Sequence, residues 1–384
     1  MTLRSHYDYI IIGQGLAGLQ LAMAMNRDSF FKNKYIALID PEQKNTNDKT
    51  WSFWEQATAS KWQSLAYKTW QTASVYTQKK ETHLKLAPYN YKSIRSIDFY
   101  NKAKCTLKTS KHIHFIQDAV THVTNLNTKA EVKTQATKTY TANHVFDSRL
   151  PSDYHKANRA IKLVQHFKGI VIKTDTPVFN TDHITMMDYR LKDGEKTSFT
   201  YVLPYTKNKA LIEYTYFTKN TVKEEVYDTF LKTYIKDYLK VDNYQIIESE
   251  TGQIPMTSFP FYKYNTKHIT KIGTGGGWVK ASTGYAFKNT EKKVKLLINN
   301  LKSNHAPTKG LYNKKHMFYD KIFLKVLHDN NEMGEWIFEK FYSKNTVNTM
   351  FNFLDESSSL YQELQIMSAL FSWSFIKAFF KTLK

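Results

Sequence analysis

The stretch YDYIIIGQGLAGLQLAMAMN (7–26) decides how the rest of the chain is read. It is apolar over about the length of a membrane span, so that reading has to be met first. Asp8 and Gln14 interrupt it, and Gly13, Gly15 and Gly18 break it at regular positions. The better parse is a buried strand over 7–12, a tight turn, and a helix over 17–25. A second apolar run, YIALID (35–40), follows and predicts the next strand of a βαβ unit.

Within that unit, GQGLAG fits the G-x-G-x-x-G pattern of dinucleotide binding. Gly13 permits the turn, Gly15 lets the backbone approach a diphosphate, and Gly18 allows close strand–helix packing. The helix N-terminus then faces the phosphates. Asp40 closes the second strand, where a carboxylate accepts from a ribose hydroxyl. The hexamer alone is a weak signal; strand, hexamer, helix, strand and terminal acid together are a strong one.

The second informative stretch is GTGGGWVKASTGYAFKNT (273–290), with Gly273, Gly275, Gly276 and Gly277 in five positions. It follows an apparent strand and precedes a helical region. A fingerprint at the N-terminus with a late glycine segment is the arrangement of two-domain FAD proteins, so FAD is expected rather than NAD. Backbone N–H groups of the late segment are then available to the flavin or diphosphate.

Composition sets the outer limits. The single cysteine, Cys105, excludes a disulfide framework. No leader-like segment is read at the start. The net charge of +21 suits lysine-rich composition or attraction to an anionic membrane. No recognition-helix or zinc-finger spacing accompanies it, so no nucleic-acid partner is expected. No metal site is expected either, because the 13 histidines show no ligand spacing. Residues 60–110 read as mixed segments with short strands. Residues 161–250 read as strands with one long helix near 223–239. The chain after 290 reads as largely helical.

Several segments share a resemblance in chain order: DKTWSFWE (48–55), YKSIRSIDFY (91–100), VFDSR (145–149), QHFKGIVIKTDTPVF (165–179), MMDYR (186–190), YVLPYTKNKALIEYTYF (201–217), GQIPM (252–256), the late glycine segment and FNFLDE (351–356). This series resembles the lycopene cyclase family, of the bacterial flavin-dependent β-cyclase type. The resemblance implies a flavoprotein working with reduced FAD, with NAD(P)H as electron source. It implies non-redox cyclisation of lycopene and related carotenoids, and peripheral association with the inner, cytoplasmic face of the cell membrane. Lys49 stands where the family usually has arginine, so a cofactor contact there keeps the charge and loses the bidentate fork.

The expected fold is α/β: an N-terminal Rossmann-like FAD-binding domain, a mixed-sheet substrate domain and a helical C-terminal part. The FAD-binding domain is assigned to 1–60, 115–160 and 260–310. The substrate domain takes 61–114 and 161–259, and the helical region 311–384.

Ring closure needs a proton donor in an apolar pocket, stabilisation for a tertiary cation, and no water. Glu213, in KALIEYTYF (209–217), is the leading acid. Strand alternation puts it with Leu211 on one face and turns Ile212 and Tyr214 to the other. In the family this position is the first acid of an acidic pair before threonine; here Tyr214 replaces the second acid and Thr215 is kept. Asp188 is the second candidate, and its pairing with Arg190 is either structural or site-forming. Trp51 and Trp54 are read as walls for flavin or polyene, or as plain core. The same architecture also serves FAD-dependent reductases and monooxygenases, which is the alternative reading. The last stretch, SALFSWSFIKAFFKTLK (368–384), is expected either to lie as one helix on the membrane, with Lys377, Lys381 and Lys384 on one face, or to pack on the protein body as ordinary core.

Overall fold

The computed structural model describes residues 4–59 and 61–383. The first βαβ unit forms as the sequence predicts: strand His6–Ile12, helix Leu16–Arg27, strand Ile36–Asp40. His6–Ile12 is flanked by parallel neighbours on both edges, Ile36–Asp40 and Thr139–Asp147. That placement buries both of its faces and accounts for its unbroken apolar run. Ile113–Gln117 and Ile269–Lys271 extend the parallel sheet, and an antiparallel pair, Val120–Asn125 and Ala130–Thr134, hangs from its edge.

A second seven-stranded sheet is mostly antiparallel. Its order is Tyr244–Thr257, Lys162–Thr174, Lys209–Thr218, Ser198–Thr206, His183–Asp188, Thr72–Tyr76 and Glu81–Lys85. Each face has its own apolar core. Helix Glu224–Asp237 covers one face through Tyr227, Leu231, Tyr234 and Ile235, which meet Ile212, Tyr214 and Tyr216. The C-terminal helices cover the other, where Leu211 and Phe217 meet Leu324, Phe338 and Phe341. A three-stranded sheet of Thr50–Gln56, Tyr89–Arg95 and Lys68–Trp70 completes the β structure among the described residues.

Two expectations are corrected. Residues 96–108 form a helix, Ser96–Lys108, not short strands. Phe99, Tyr100, Ala103 and Leu107 fall on one helical face and bury it. The terminal stretch is two elements, not one. Leu360–Ala369 ends where the Leu370 and Phe371 amides turn back to Ile366 and Ser368, and a separate helix, Trp373–Leu383, follows. Lys384 lies outside the described residues.

Candidate functional site

The glycine turn is built for an anion. Gly13 has φ +100°, and a Cβ there would meet the Ser148 hydroxyl at 2.1 Å. A Cβ on Gly18 would strike the Gly13 carbonyl oxygen at 1.9 Å, so helix and turn are in direct contact. Gly15 differs: nothing lies within 4 Å of where its Cβ would stand. Gly15 also caps helix Leu16–Arg27, which has no side-chain cap and no acidic residue in its first turn. Open space beside uncapped helix amides fits a diphosphate. Asp40 fastens the turn, accepting from the Gln14 amide at 2.6 Å and the Glu42 amide at 2.8 Å. One lone pair on each oxygen is left for a ribose hydroxyl.

The late glycines are brought to this same place. Gly273 packs on the helix, its Cβ position 3.0 Å from that of Ala17. Gly275 lies against the carbonyl of Arg149 and Gly276 against that of Lys271, at 2.2 and 2.4 Å from their Cβ positions. Gly277, at φ +66°, fits against Phe261. The crowding of glycines therefore follows from close packing on Ala17, the Arg149 and Lys271 carbonyls and the Phe261 ring. The VFDSR segment contributes Asp147, which holds Arg149 at 2.9 Å and Lys271 at 3.0 Å. Lys49 is more than half exposed and its Nζ lies 3.2 Å from Asp48.

Glu213 lies on the Leu211 face and is only 9% exposed. Among the described residues it has no salt-bridge partner; the Thr215 hydroxyl donates to its Oε1 at 2.6 Å. Burial pushes its carboxyl up to about 8, the charge of Glu250 adds to this, and the Thr215 bond opposes it. Phenols of Tyr201, Tyr205 and Tyr285 stand near it. Tyr201 donates to the Tyr91 oxygen at 2.8 Å, and the Tyr91 and Tyr285 oxygens are 3.0 Å apart. Trp54 is buried and packs edge-on against Tyr285 and flat against Phe351, at 4.6 and 4.5 Å between ring centres. Trp51 packs instead on Phe99, Tyr100 and Phe287.

Asp188 is not brought to Glu213. It pairs across the sheet with Thr200, which pairs with Tyr214, so it belongs to the opposite face. It is fully buried, bound by Arg190 at 2.5 Å and by the Tyr234 hydroxyl at 2.7 Å. The arginine in turn lies 4.2 Å over the Tyr76 ring. This is the structural alternative for the pair.

Sequence reasoning missed Glu250. Gly169 pairs with Glu213 on one side and Glu250 on the other, which sets both carboxylates in one row on one face. The adjoining GQIPM motif is the local signal that pointed to this strand. Also missed was the tie between the late glycine segment and FNFLDE: buried Lys280 bonds Asp320 at 3.0 Å and Glu356 at 3.1 Å. A cleft of about 400 Å³ among the C-terminal helices is lined by Phe341, Tyr342, Leu370, Phe375 and other apolar groups. Its Tyr342 neighbours Tyr91 and Tyr285, which lead on to Glu213. Where no metal ligands were expected, Glu81, His83 and His183 bring their ligand atoms within 4.8 Å of one another at the far sheet edge.

Fold and site together define a protein with a parallel sheet of the dinucleotide-binding type joined to a second, mostly antiparallel sheet. The solved structures it resembles include a geranylgeranyl bacteriochlorophyll reductase-like protein from Thermoplasma acidophilum (TM-score 0.62, 11% identity, 98% of this chain and 99% of that one). A flavoprotein/dehydrogenase from Cytophaga hutchinsonii is equally similar (TM-score 0.63, 10% identity, 94% and 99%). At such identity the likeness concerns the fold. A family profile described as lycopene cyclase protein matches residues 8–379, and the chain belongs to that family. Among curated relatives, chloroplastic neoxanthin synthases of Solanum tuberosum and Solanum lycopersicum are each 22% identical over 73% of this chain. The chain spans 58% of the length of these relatives.

Proposed function

We propose that this chain is a lycopene β-cyclase that closes the linear ends of lycopene into β-rings, by way of γ-carotene to β-carotene, using FAD in its reduced form. The observation that carries this reading is Glu213: a carboxyl with no cation beside it, walled by tyrosines, on the interior face of an apolar sheet. Glu213 in its acid form gives a proton to the terminal double bond of the substrate. The internal double bond attacks the resulting tertiary cation, the six-membered ring closes, and loss of a neighbouring proton leaves the ring alkene. Tyr201, Tyr205 and Tyr285 present electron-rich faces and exclude water. Reduced FAD, when bound, supplies further negative charge for the cation. Gly15, the helix behind it and Asp40 hold the diphosphate and ribose, and NAD(P)H serves as electron source. The reaction takes place at the inner face of the cell membrane, where the hydrocarbon is dissolved.

The test is anaerobic incubation with lycopene, FAD and a reductant, followed by pigment analysis. A cyclase gives products of unchanged mass and needs reductant only in catalytic amount. The second reading, an FAD-dependent reductase or monooxygenase on an isoprenoid, is favoured by the shared fold alone. It requires one NAD(P)H per product and a changed mass, and that result replaces the cyclase reading.

A further inference from the structure

Each cyclisation consumes one proton at the end group and releases one from the ring. The buried Glu213 is left as a carboxylate after giving its proton, and it is too enclosed to be recharged directly by bulk water. Its neighbour across Gly169 offers a route. Glu213, Gly169 and Glu250 are cross-strand partners in one row, so the two glutamates stand two strand spacings apart, about 10 Å between backbones. The residue between them has no side chain. A Cβ on Gly169 would lie 3.1 Å from Leu211 Cδ1, 3.3 Å from Glu250 Cγ and 3.5 Å from its Oε1, so the Glu250 arm shares the space over the glycine with the Leu211 side chain. Thr50 donates to the other oxygen, Oε2, at 3.0 Å. Glu250 is half-buried and forms part of a small opening in which Asn47, Thr50, Arg95 and Glu248 stand beside apolar Val171 and Leu211.

We propose that Glu250 is the proton relay that reloads Glu213, passing protons from this opening across Gly169 to the buried acid. The inference rests on the reading of Glu213 as the cyclisation acid. The other groups facing the pair do not exchange protons near neutrality. Burial raises the phenols of Tyr201, Tyr205 and Tyr285 well above their ordinary value, and Arg95 is held by Asp98. Asp48 and Glu248 add negative charge beside Glu250, and Lys209 adds positive charge at the opening. Burial raises both carboxyls, Glu250 to about 7 and Glu213 to about 8, so both groups take up and release protons near neutrality. One proton enters at Glu250 for each one that Glu213 gives up, and the proton lost from the ring leaves to solvent, so the net proton balance is zero.

The experiment compares wild type with Glu250→Gln and Glu250→Ala, each purified with its flavin. The expected result is a steady-state cyclisation rate about 10–100-fold lower, with the first turnover after mixing nearly unchanged. Added formate or acetate is expected to restore Glu250→Ala but not Glu213→Gln. A first turnover slowed as much as the steady state, or rates unchanged in both variants, overturns the relay. A second measurement is independent of lycopene chemistry: infrared titration of the Glu213 carboxyl in the resting protein. Glu250→Gln removes a nearby negative charge, so the Glu213 midpoint moves to lower pH. A midpoint that stays put overturns the relay even in a protein that cyclises lycopene. A midpoint that moves in a protein without cyclase activity keeps the coupled pair and fails the functional reading instead.

Discussion

The two faces of the mixed sheet each bury an acid, and the acids are bonded differently. Asp188 faces helix Glu224–Asp237 and is matched there by Arg190 and the Tyr234 hydroxyl. Glu213, two strands further on and turned the other way, meets a threonine hydroxyl and phenols but no cation. Burial alone does not make a proton donor. With a cation at hand a buried carboxylate becomes an anchor, here joining the end of one strand to a helix. Without one, burial favours the neutral acid, which is the form that can protonate an alkene.

The largest effect that can break this contrast is on turnover. Glu213→Gln keeps the shape and removes the acid, so cyclisation is expected to fall about 10²–10⁴-fold with flavin content intact. A variant that keeps more than about a third of the activity removes the distinction between the faces. Asp188→Asn, in the fraction that folds, is expected to retain most of its rate, which would be measured at equal flavin concentration.

A variant outside both faces sharpens the comparison. Gly15→Val adds bulk where the protein itself has nothing within 4 Å, so the chain is expected to fold and lose the cofactor. Absorbance after gel filtration is expected to show a nearly colourless protein, and full flavin occupancy would remove the diphosphate from this loop. Glu213→Gln should stay yellow beside it. Gly18→Val is a different matter, because the added atoms collide with the backbone of Gly13.

On the Asp188 face the expected cost is in stability. Arg190→Met leaves a fully buried carboxylate with only a phenol and a backbone amide. Arg190 is itself more than a third exposed, so solvent screens part of the pair. A loss of about 1–3 kcal/mol is expected by denaturant unfolding. No measurable loss would mean that Asp188 is as unpaired as Glu213.

The two acids also predict different responses to pH. In its proposed role Glu213 acts in the protonated form, so cyclisation should hold below about pH 8 and fall as pH rises through it. Its folded value is raised above the ordinary 4.5, so its stabilising contribution is complete below that value and lost as pH rises towards 8. Glu213→Gln should flatten that part of the stability profile. An alkaline limb that survives in the residual activity of Glu213→Gln assigns it to another group.

Local chemistry was legible in the chain and cross-strand chemistry was not. The glycine turn, its helix and Asp40 are read within some thirty residues, because each constraint acts on its neighbours. The inward aim of Glu213 follows from alternation along an unbroken strand. Asp188 sits beyond a register shift between Thr185 and Asp188, so its face could not be counted out from neighbours. Glu250 joins Glu213 through a third strand and a glycine, and no spacing along the chain encodes that. Helix Ser96–Lys108 was hidden by lysines and polar residues that dilute its apolar face.

The smallest expected effect concerns where apolar surface is left uncovered. The functional face of the sheet is roofed by the C-terminal helices, and the outer side of that roof carries exposed Phe371 (72%), Trp373 (67%), Phe380 (62%) and Leu383 (60%). Leu360, Tyr361, Leu364 and Met367 of the preceding helix are exposed as well. Among the described residues no helix is long and apolar enough to cross a membrane. Helix Trp373–Leu383 is about 16 Å long, which suits lying in an interface. Its inner side is fixed to the body: Ala378 and Thr382 are buried, and Lys381 bonds Asp329 at 3.1 Å. The expected lysine face therefore points partly at the protein, and the aromatics must supply most of the attraction. Deleting the helix would expose the apolar side chains beneath it, so substitution is the cleaner test. Trp373→Ser with Phe380→Ser is expected to lower flotation with anionic liposomes about thirtyfold, since each ring contributes on the order of 1 kcal/mol when half-immersed. Flavin content and cyclisation of detergent-dissolved lycopene should not change. Equal flotation of variant and wild type, with both yellow, would move the membrane contact away from this roof and separate it from the face that holds Glu213.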